Sequence, residues 1–201
     1  MSSSKRSSRD KKETTSLFGE ADVATLPRDD RTGLNQREIV SSIIRNAWSA
    51  AQKWTIARKA GGLELKRVAD AVVNAGSQDE LKPEIHQTAL QLKSSVSKMQ
   101  ACVRILDDLL EEMKKLQNLY CKDGDYPLFS TLTLGQMVSV LESVCEDYKK
   151  ETEVKAGVCA PLPFTNSPDT LSTVITLWSH HAHVVTHQYP LKLMLRETQQ
   201  L

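Results

Sequence analysis

The sequence predicts an all-α protein: an elongated helical bundle built around a long coiled-coil-like helix, with a disordered N-terminal tail. Two observations support this fold class. From about residue 35 onward, apolar residues recur at alternating spacings of three and four, which is the period of an α-helix. No stretch shows the alternate-residue pattern of a strand or a hairpin turn signal. A chain of 201 residues has room for one bundle, or for a core with an arm, but not for several independent domains.

The predicted tail covers residues 1–31, and the predicted helical domain covers residues 32–201. Ser, Lys, Arg and Asp dominate the tail, and its few apolar residues follow no period. Such a segment cannot bury enough apolar surface to offset the entropy lost on ordering, so we expect it to be disordered. A short basic cluster lies within it, and this cluster is compatible with nuclear import or phosphate contact as well as with a solvated tail: Lys5, Arg6, Arg9, Lys11, Lys12.

The first helix is predicted to start at Asn35, because Asn35 and Glu38 have the spacing of a capping box. Apolar residues then follow helical spacing as far as Trp54. We expect the helix to weaken at Gly61–Gly62, where two adjacent residues of low helix propensity occur. A second helical stretch resumes at Leu65, and Gly76 is a plausible stop.

The strongest pattern predicts a helix over residues 83–120, with Pro83 in its first turn, where a missing N–H costs nothing. Its apolar positions alternate by four and three over five heptads. A helix of this length would extend over about 50 Å. The helix predicted over residues 83–120 is labelled α2. We name the following eight positions the α2 seam and take them as candidates for partner binding or for the core: Ile85, Leu92, Val96, Met99, Val103, Leu106, Leu110 and Met113.

The residues that flank this seam indicate a bundle rather than a symmetric two-stranded coil. Cys102, Leu109 and Leu116 occupy g positions, where a dimeric coiled coil favours charges. An apolar face three residues wide per heptad suits contact with more than one helix. The partner helices could belong to this chain or to another protein, and the sequence leaves both open. Trp48, Trp54 and Trp178 also lie on apolar helix faces, so we expect them in the core first and at a partner surface second.

Three further helices are predicted after a turn at residues 122–127. The first opens at Leu134, or at the capping pair Thr133 and Gln136, and ends near Gly157 and the prolines that follow. The second starts at Ser167-Pro168-Asp169, with a capping hydroxyl, a proline at the first helical position and an early acid. The third is a short helix that starts at Pro190.

The sequence contains no motif of phosphate-binding loops, zinc proteases or serine hydrolases, and we predict neither catalysis nor a cofactor. His183 and His187 lie four residues apart and could face one metal ion on a helix, but no acid or thiol nearby completes a ligand set. We therefore predict no metal site. The four cysteines are widely spaced and are expected to be reduced and packed as small apolar residues.

Charge and hydropathy bear on compartment and ligand class. Lys and Arg number 26 against 25 Asp and Glu, so a net charge of +1 does not favour direct nucleic-acid binding. No apolar run is long enough for a membrane span and no secretory signal is evident, which predicts a nuclear or cytoplasmic protein. Whether Ser77, Ser167 or Thr198, which lie in kinase-like contexts, are phosphorylated stays open.

The C-terminal three-quarters of the chain resembles the cyclin-dependent kinase 2-interacting protein family. The stretches that carry the resemblance occur in order, although no single one is diagnostic: Lys53-Trp54 with Ala60-Gly61, Pro127-Leu-Phe129, Val138 to Lys155, Pro168-Asp169 with Trp178, and Met194 to Thr198. The tail and the histidine-rich stretch after Trp178 depart from the family's pattern.

This resemblance implies a nuclear, helical, non-enzymatic adaptor. The family is linked to replication-associated kinases, to checkpoint signalling after DNA damage, and to a hetero-oligomeric complex with two AAA+ ATPases and a further helical subunit. That complex serves DNA replication and maturation of the large ribosomal subunit. A second hypothesis of another class is a nucleic-acid-associated chromatin protein that uses the basic tail.

Overall fold

The computed structural model describes residues 30–74, 82–120, 127–162, 167–184 and 188–199. Within these ranges the chain forms five α-helices: α1 (Asp30–Asn74), α2 (Lys82–Tyr120), α3 (Leu134–Cys159), α4 (Pro168–Ser179) and α5 (Gln188–Gln199). The described ranges contain no strand, only an isolated bridge between Pro127 and Thr133. The predicted all-α class is confirmed.

The helices alternate in direction as in an up-down bundle. The end of α1 and the start of α2 line one groove, from Glu64 to Ala71 and from Glu84 to Gln91, so these helices are antiparallel. α3 runs antiparallel to α2, because Lys114 near the end of α2 pairs at 2.9 Å with Glu142 near the start of α3. α4 and α5 both contact α1 and α3, and they occupy the fourth position of the bundle as two short helices in succession.

The core lies between the four positions of this bundle, and all five helices contribute buried apolar residues to it. Trp54 of α1 crosses it and donates from Nε1 to Thr152 Oγ1 of α3 at 2.8 Å. Its ring meets that of Tyr148 edge to face, with the ring centroids 5.0 Å apart. The tryptophan therefore fixes α1 against α3 by packing and by a directional bond.

α1 continues through Gly61–Gly62 to Asn74, so the predicted weakening of the helix at these glycines is wrong. A tertiary contact explains the glycine at position 61. A Cβ atom on Gly61 would lie 2.4 Å from Cζ2 of Trp178, whose indole N–H donates to the Arg58 carbonyl at 3.1 Å. The glycine costs about 1 kcal/mol of helix propensity, but it lets α4 approach the backbone of α1 closely.

Helix α3 begins as predicted. Thr133 is its N-cap and accepts from the Gln136 N–H at 3.1 Å, while Gln136 Oε1 accepts from the Thr133 N–H at 3.0 Å. Its end lies at Cys159, two residues beyond the predicted glycine stop. A carboxylate also holds the segment before α3, because Glu197 of α5 accepts hydrogen bonds from the N–H groups of Thr131 and Leu132.

Two other predicted helix starts need correction, and the helix that starts where predicted, α4, lacks its predicted capping hydrogen bond. α1 begins at Asp30, so Asn35 lies more than one turn inside the helix and does not cap it. Ser167 precedes α4 and Pro168 occupies its first turn, but the Ser167 side chain makes no capping hydrogen bond to the helix. α5 begins at Gln188, two residues before the predicted proline start.

Several sequence predictions fall outside the described residues. They concern the tail as far as residue 29, the stop at Gly76 and the turn at residues 122–126. Asp30 and Arg31, which were assigned to the tail, lie in the first turn of α1.

Candidate functional site

The α2 seam lies inside the bundle. Its eight residues are exposed by 0 to 8%, and Leu92, Met99, Leu106 and Met113 have no exposed surface. α2 contacts both α1 and α3, and the flanking Cys102 and Leu109 are buried as well. The three-residue-wide apolar face thus packs on two helices of the same chain. Of the two roles left open by the sequence, the seam has the core role in this structure.

The tryptophans also belong to the interior. Trp54 and Trp178 are each 1% exposed, and Trp48 is partly buried and packs against the core. Their burial leaves little indole surface for a partner. Candidate contact surfaces must therefore be found among the apolar side chains that point away from the core.

One such surface lies on the outward side of α1 and is named here the α1 outer face: Ile56, Ala60 and Leu63. Ile56 is 65% exposed, Leu63 is 63% exposed, and Ala60 between them is exposed. The spacing i, i+4, i+7 places all three on one side of the helix, over two turns. Exposed Lys53, Lys59 and Lys66 flank this apolar strip.

A second surface lies on the outward side of α2 and is named the α2 outer face: Ile105, Asp108, Glu112 and Leu119. Ile105 is 43% exposed, Leu119 is 62% exposed, and both acids are exposed. It combines apolar side chains with net negative charge, since the exposed Lys115 offsets only one of the two acids, whereas the α1 outer face combines them with positive charge.

The two outer faces reflect a wider separation of charge that the net value of +1 conceals. Residues 45–67 of α1 contain six cations and a single acid, Glu64. The described part of residues 105–153 contains nine acids and four lysines: Asp107, Asp108, Glu111, Glu112, Glu142, Glu146, Asp147, Glu151 and Glu153, against Lys114, Lys115, Lys149 and Lys150. The basic region of α1 and the acidic region of α2 and α3 can each attract a partner of opposite charge.

The break between α4 and α5 is held by a buried ion pair on α3. Lys155 Nζ lies 2.8 Å from Glu151 Oε1, and both side chains are 0% exposed. The ammonium also donates to the carbonyls of Leu177 and His180 at the end of α4. Glu151 Oε2 accepts from the N–H groups of Ala182 and His183, at 3.1 and 3.0 Å. Glu151 and Lys155 thus bind four backbone groups at the break between α4 and α5.

The electrostatics of this cluster favour the ionised carboxylate. Burial alone would raise the pKa of Glu151, but the hydrogen bonds from Lys155 and the His183 N–H and the charge of Lys155 hold this pKa below its ordinary value. Burial and the neighbouring charges of Arg58 and Lys155 lower the pKa of His181. Both effects disfavour the charged form of His181 beside the ion pair.

The structure does not bring the histidines together on a helix. Residues 180–184 are not helical, and His187 lies outside the described residues. Among the residues that the structure covers, no group of three or more histidine, cysteine or acidic side chains is placed to hold a metal ion. The predicted absence of a metal site stays a prediction.

Three described cysteines are free thiols, and their environments disfavour ionisation. Burial raises the pKa of Cys145 to about 12 and that of Cys159 to about 11, and it also raises that of Cys102. A thiol with such a pKa is almost entirely protonated at pH 7, so it is a poor nucleophile and a poor metal ligand.

The described surface also carries two shallow grooves. One, of about 360 Å³, lies between the end of α1 and the start of α2, and the other, of about 300 Å³, lies between α2 and α3. Polar and charged side chains line much of the second groove, including Arg104, Asp107 and Lys149. Both are open features of the bundle surface rather than enclosed ligand cavities.

Sequence reasoning did not identify the ion pair or the two outer faces. A signal for the pair was present, because Glu151 and Lys155 continue the apolar spacing of Leu141, Val144 and Tyr148. Charged residues at core positions indicate a buried pair. The outer faces consist of single apolar residues on the polar side of each helix. Single exposed apolar residues are common on protein surfaces, so the sequence alone does not mark them as a site.

None of the described helices is long and apolar enough to cross a lipid bilayer. No protein-family model matches the sequence, and comparison with curated proteins finds no significant match.

Proposed function

We propose that this protein is a non-catalytic adaptor that binds partner proteins through the outward sides of its long helices. The proposal rests chiefly on the α1 outer face, where Ile56 and Leu63 are almost two-thirds exposed on a helix whose opposite side is buried. Exposure of aliphatic residues aligned over two turns is unfavourable in water, and the free energy falls when another helix covers them.

The length of α1 and α2 supports the same role. Their 45 and 39 residues correspond to axes of about 68 and 58 Å at 1.5 Å per residue. We propose that the protein is an elongated, coiled-coil-like bundle that offers separate contact surfaces along its axis. A scaffold of this kind can hold two partners at once, because the two outer faces differ in helix and in charge.

The identity of the partners is proposed from the family resemblance. The adaptor would be a subunit of a hetero-oligomeric complex with AAA+ ATPase subunits and a further helical protein. This complex would act in the nucleus, and the adaptor would also enter the cytoplasm. Its roles would be DNA replication, DNA repair and the DNA-damage response, the cell cycle through kinases and checkpoint signalling, and biogenesis of the large ribosomal subunit.

Affinity purification of the tagged full chain from nuclear extract, followed by mass spectrometry, tests this proposal. We expect AAA+ ATPase subunits to be recovered in stoichiometric amounts with the wild-type chain. Ile56→Asp combined with Leu63→Asp should reduce this recovery, whereas Ser143→Asp on an exposed position of α3, outside both outer faces, is the control. Recovery of no ATPase subunit by a folded wild-type chain would contradict the proposal.

The second candidate function, a nucleic-acid-associated chromatin protein, depends on the basic cluster of the tail. Deleting residues 1–29 would separate the two functions, since those residues contain the cluster but none of the described helices. The adaptor proposal expects ATPase recovery to survive the deletion. A salt-sensitive DNA or RNA complex that disappears with the tail would favour the alternative.

A further inference from the structure

We infer that the α1 outer face binds an acidic amphipathic helix of a partner protein. This inference rests on the proposed adaptor function and specifies the chemistry of one of its partners. Three features of the face select this occupant: its aliphatic centre, its basic flanks and its length.

The centre of the face is aliphatic. Ile56 and Leu63 present their side chains to solvent, with only the methyl group of Ala60 between them. Two leucine-sized groups two turns apart fit the apolar ridge of another helix, in which apolar residues recur at i, i+3 or i+4, and i+7. Single-stranded nucleic acids are bound instead by exposed aromatic rings on which bases stack, and this strip has none.

The flanks of the face are basic and largely without internal partners. Arg67 pairs with Glu64 at 3.0 Å. Among the residues that the structure describes, no carboxylate lies within 4.0 Å of the ammonium groups of Lys53, Lys59 or Lys66. Complementary charges across an interface steer association and fix the register of the partner. A helix with acids beside its apolar ridge satisfies both features of the face.

The size of the face sets the size of the partner segment. From Lys53 to Arg67 the helix axis advances by about 21 Å, which equals about four turns of a partner helix. A second copy of this chain could offer its α2 outer face, which is also apolar and acidic. That contact joins two different surfaces, so it closes into a dimer only where a two-fold axis lets it form twice, and otherwise it builds rings or open filaments. A segment of a different protein has no such requirement.

A binding experiment with two designed peptides tests the inference on the full chain. Both are fluorescein-labelled helical 21-mers with the same leucine ridge, flanked by glutamates in one and by lysines in the other. Fluorescence anisotropy at moderate salt should show the glutamate peptide binding at least about ten-fold more tightly, since complementary charges attract and like charges repel.

Two sets of variants assign the preference to the α1 outer face. Lys53→Glu, Lys59→Glu and Lys66→Glu together should reverse the preference, so that the lysine peptide binds more tightly. Ile56→Ser with Leu63→Ser should weaken the glutamate peptide about ten-fold or more while keeping the charge preference, because it removes the apolar contact. All five positions are exposed, so circular dichroism should show unchanged helix content.

Other outcomes would overturn the inference. Equal affinity for the two peptides, or an unchanged preference in the charge-reversed variant, would show that the face does not select an acidic helix. Stronger binding of a 21-base-pair DNA duplex that depends on the three lysines would assign the face to nucleic acid. Concentration-dependent oligomers in light scattering that the same variants abolish would assign it to a second copy.

This experiment and the purification described above fail independently. If the wild-type chain recovers ATPase subunits and the charge-reversed variant recovers them equally well, the surface inference fails and the adaptor function stands. If the peptide preference holds but no ATPase subunit is recovered, the surface inference stands and the proposed complex is wrong.

Discussion

Replacing Lys155 by Met should destabilise the protein by about 3–5 kcal/mol, because it leaves Glu151 as an uncompensated charge in the interior. The two charged groups are 2.8 Å apart and neither side chain has exposed surface. Met is an unbranched side chain of similar length, so loss of packing contributes little. The predicted cost is therefore mainly electrostatic.

The same substitution also removes the donor that Leu177 and His180 share at the end of α4. Both of these hydrogen bonds are only partly buried, so the loss of each costs at most about 1–3 kcal/mol, and a water molecule that enters the site can recover part of this cost. These losses overlap with the loss of the ion pair and do not simply add. They place the expected value toward the upper end of the range and loosen the joint between α4 and α5.

Urea-induced unfolding, followed by circular dichroism at pH 7, measures this cost. For a chain of this size, each kcal/mol corresponds to about 2–4 °C, so we expect the melting temperature to fall by about 6–20 °C. Lys150→Met is the matched control on the same helix. It removes an ion pair with Glu146 whose side chains are 48% and 56% exposed, and it should change stability by at most about 0.5 kcal/mol. Similar values for the two variants would show that the Lys155 pair is not buried in solution.

The ion pair also predicts a direction of acid sensitivity. The pKa of Glu151 is lower in the folded chain than its ordinary value of 4.5, so the folded state binds the proton less readily than the unfolded state. The stability that this difference contributes is present above pH 4.5 and is lost as the pH falls through the folded-state pKa. Glu151→Gln should flatten this part of the stability–pH curve, besides destabilising the chain at pH 7. An unchanged curve would show that other carboxylates cause the acid response.

Three further predictions test the packing of the core. Gly61→Ala should destabilise the protein by about 1–3 kcal/mol, because the new Cβ collides with the indole of Trp178 in α4. Gly62→Ala, whose Cβ would have contacts at 3.6 Å, should stabilise the helix by up to about 1 kcal/mol, and thermal melts of the two variants test this difference. Leu106→Asp should reduce the helicity of the isolated chain, because position 106 is 0% exposed, whereas Ser94→Asp at an exposed position should leave the helicity unchanged. Equal circular dichroism spectra of the two variants would contradict a buried seam. Cys145, with its pKa raised to about 12, should resist iodoacetamide at pH 7.5 until urea unfolds the chain, which peptide mass spectrometry can follow.

Features that depend on local sequence were predicted well. The capping box of α3 forms because Thr133 and Gln136 satisfy each other's free N–H groups within one turn. α2 runs from Lys82 to Tyr120, within a residue of the prediction, because five heptads of apolar residues act together. In both cases the residues that decide the outcome are neighbours in the sequence.

Features that depend on distant residues were predicted less well. The presence of glycine at position 61 is explained by Trp178, which lies more than a hundred residues away. The role of Glu151 and Lys155 depends on backbone groups between residues 177 and 183. Helix propensity and periodicity carry no information about such contacts, because they describe a helix without its neighbours.

Periodicity has the same limit for function. The spacing of the α2 seam shows that its residues avoid water, but the identity of the helices that cover them is a property of the whole fold. The flanking residues Cys102 and Leu109 were more informative, since an apolar face this wide needs two neighbours, and α1 and α3 supply them. Because the widest apolar face is satisfied within the chain, the proposed partner would bind a narrower strip such as Ile56 to Leu63. On a strip of two aliphatic residues the apolar contact alone selects no particular helix, so in this proposal the lysines beside the strip select the partner.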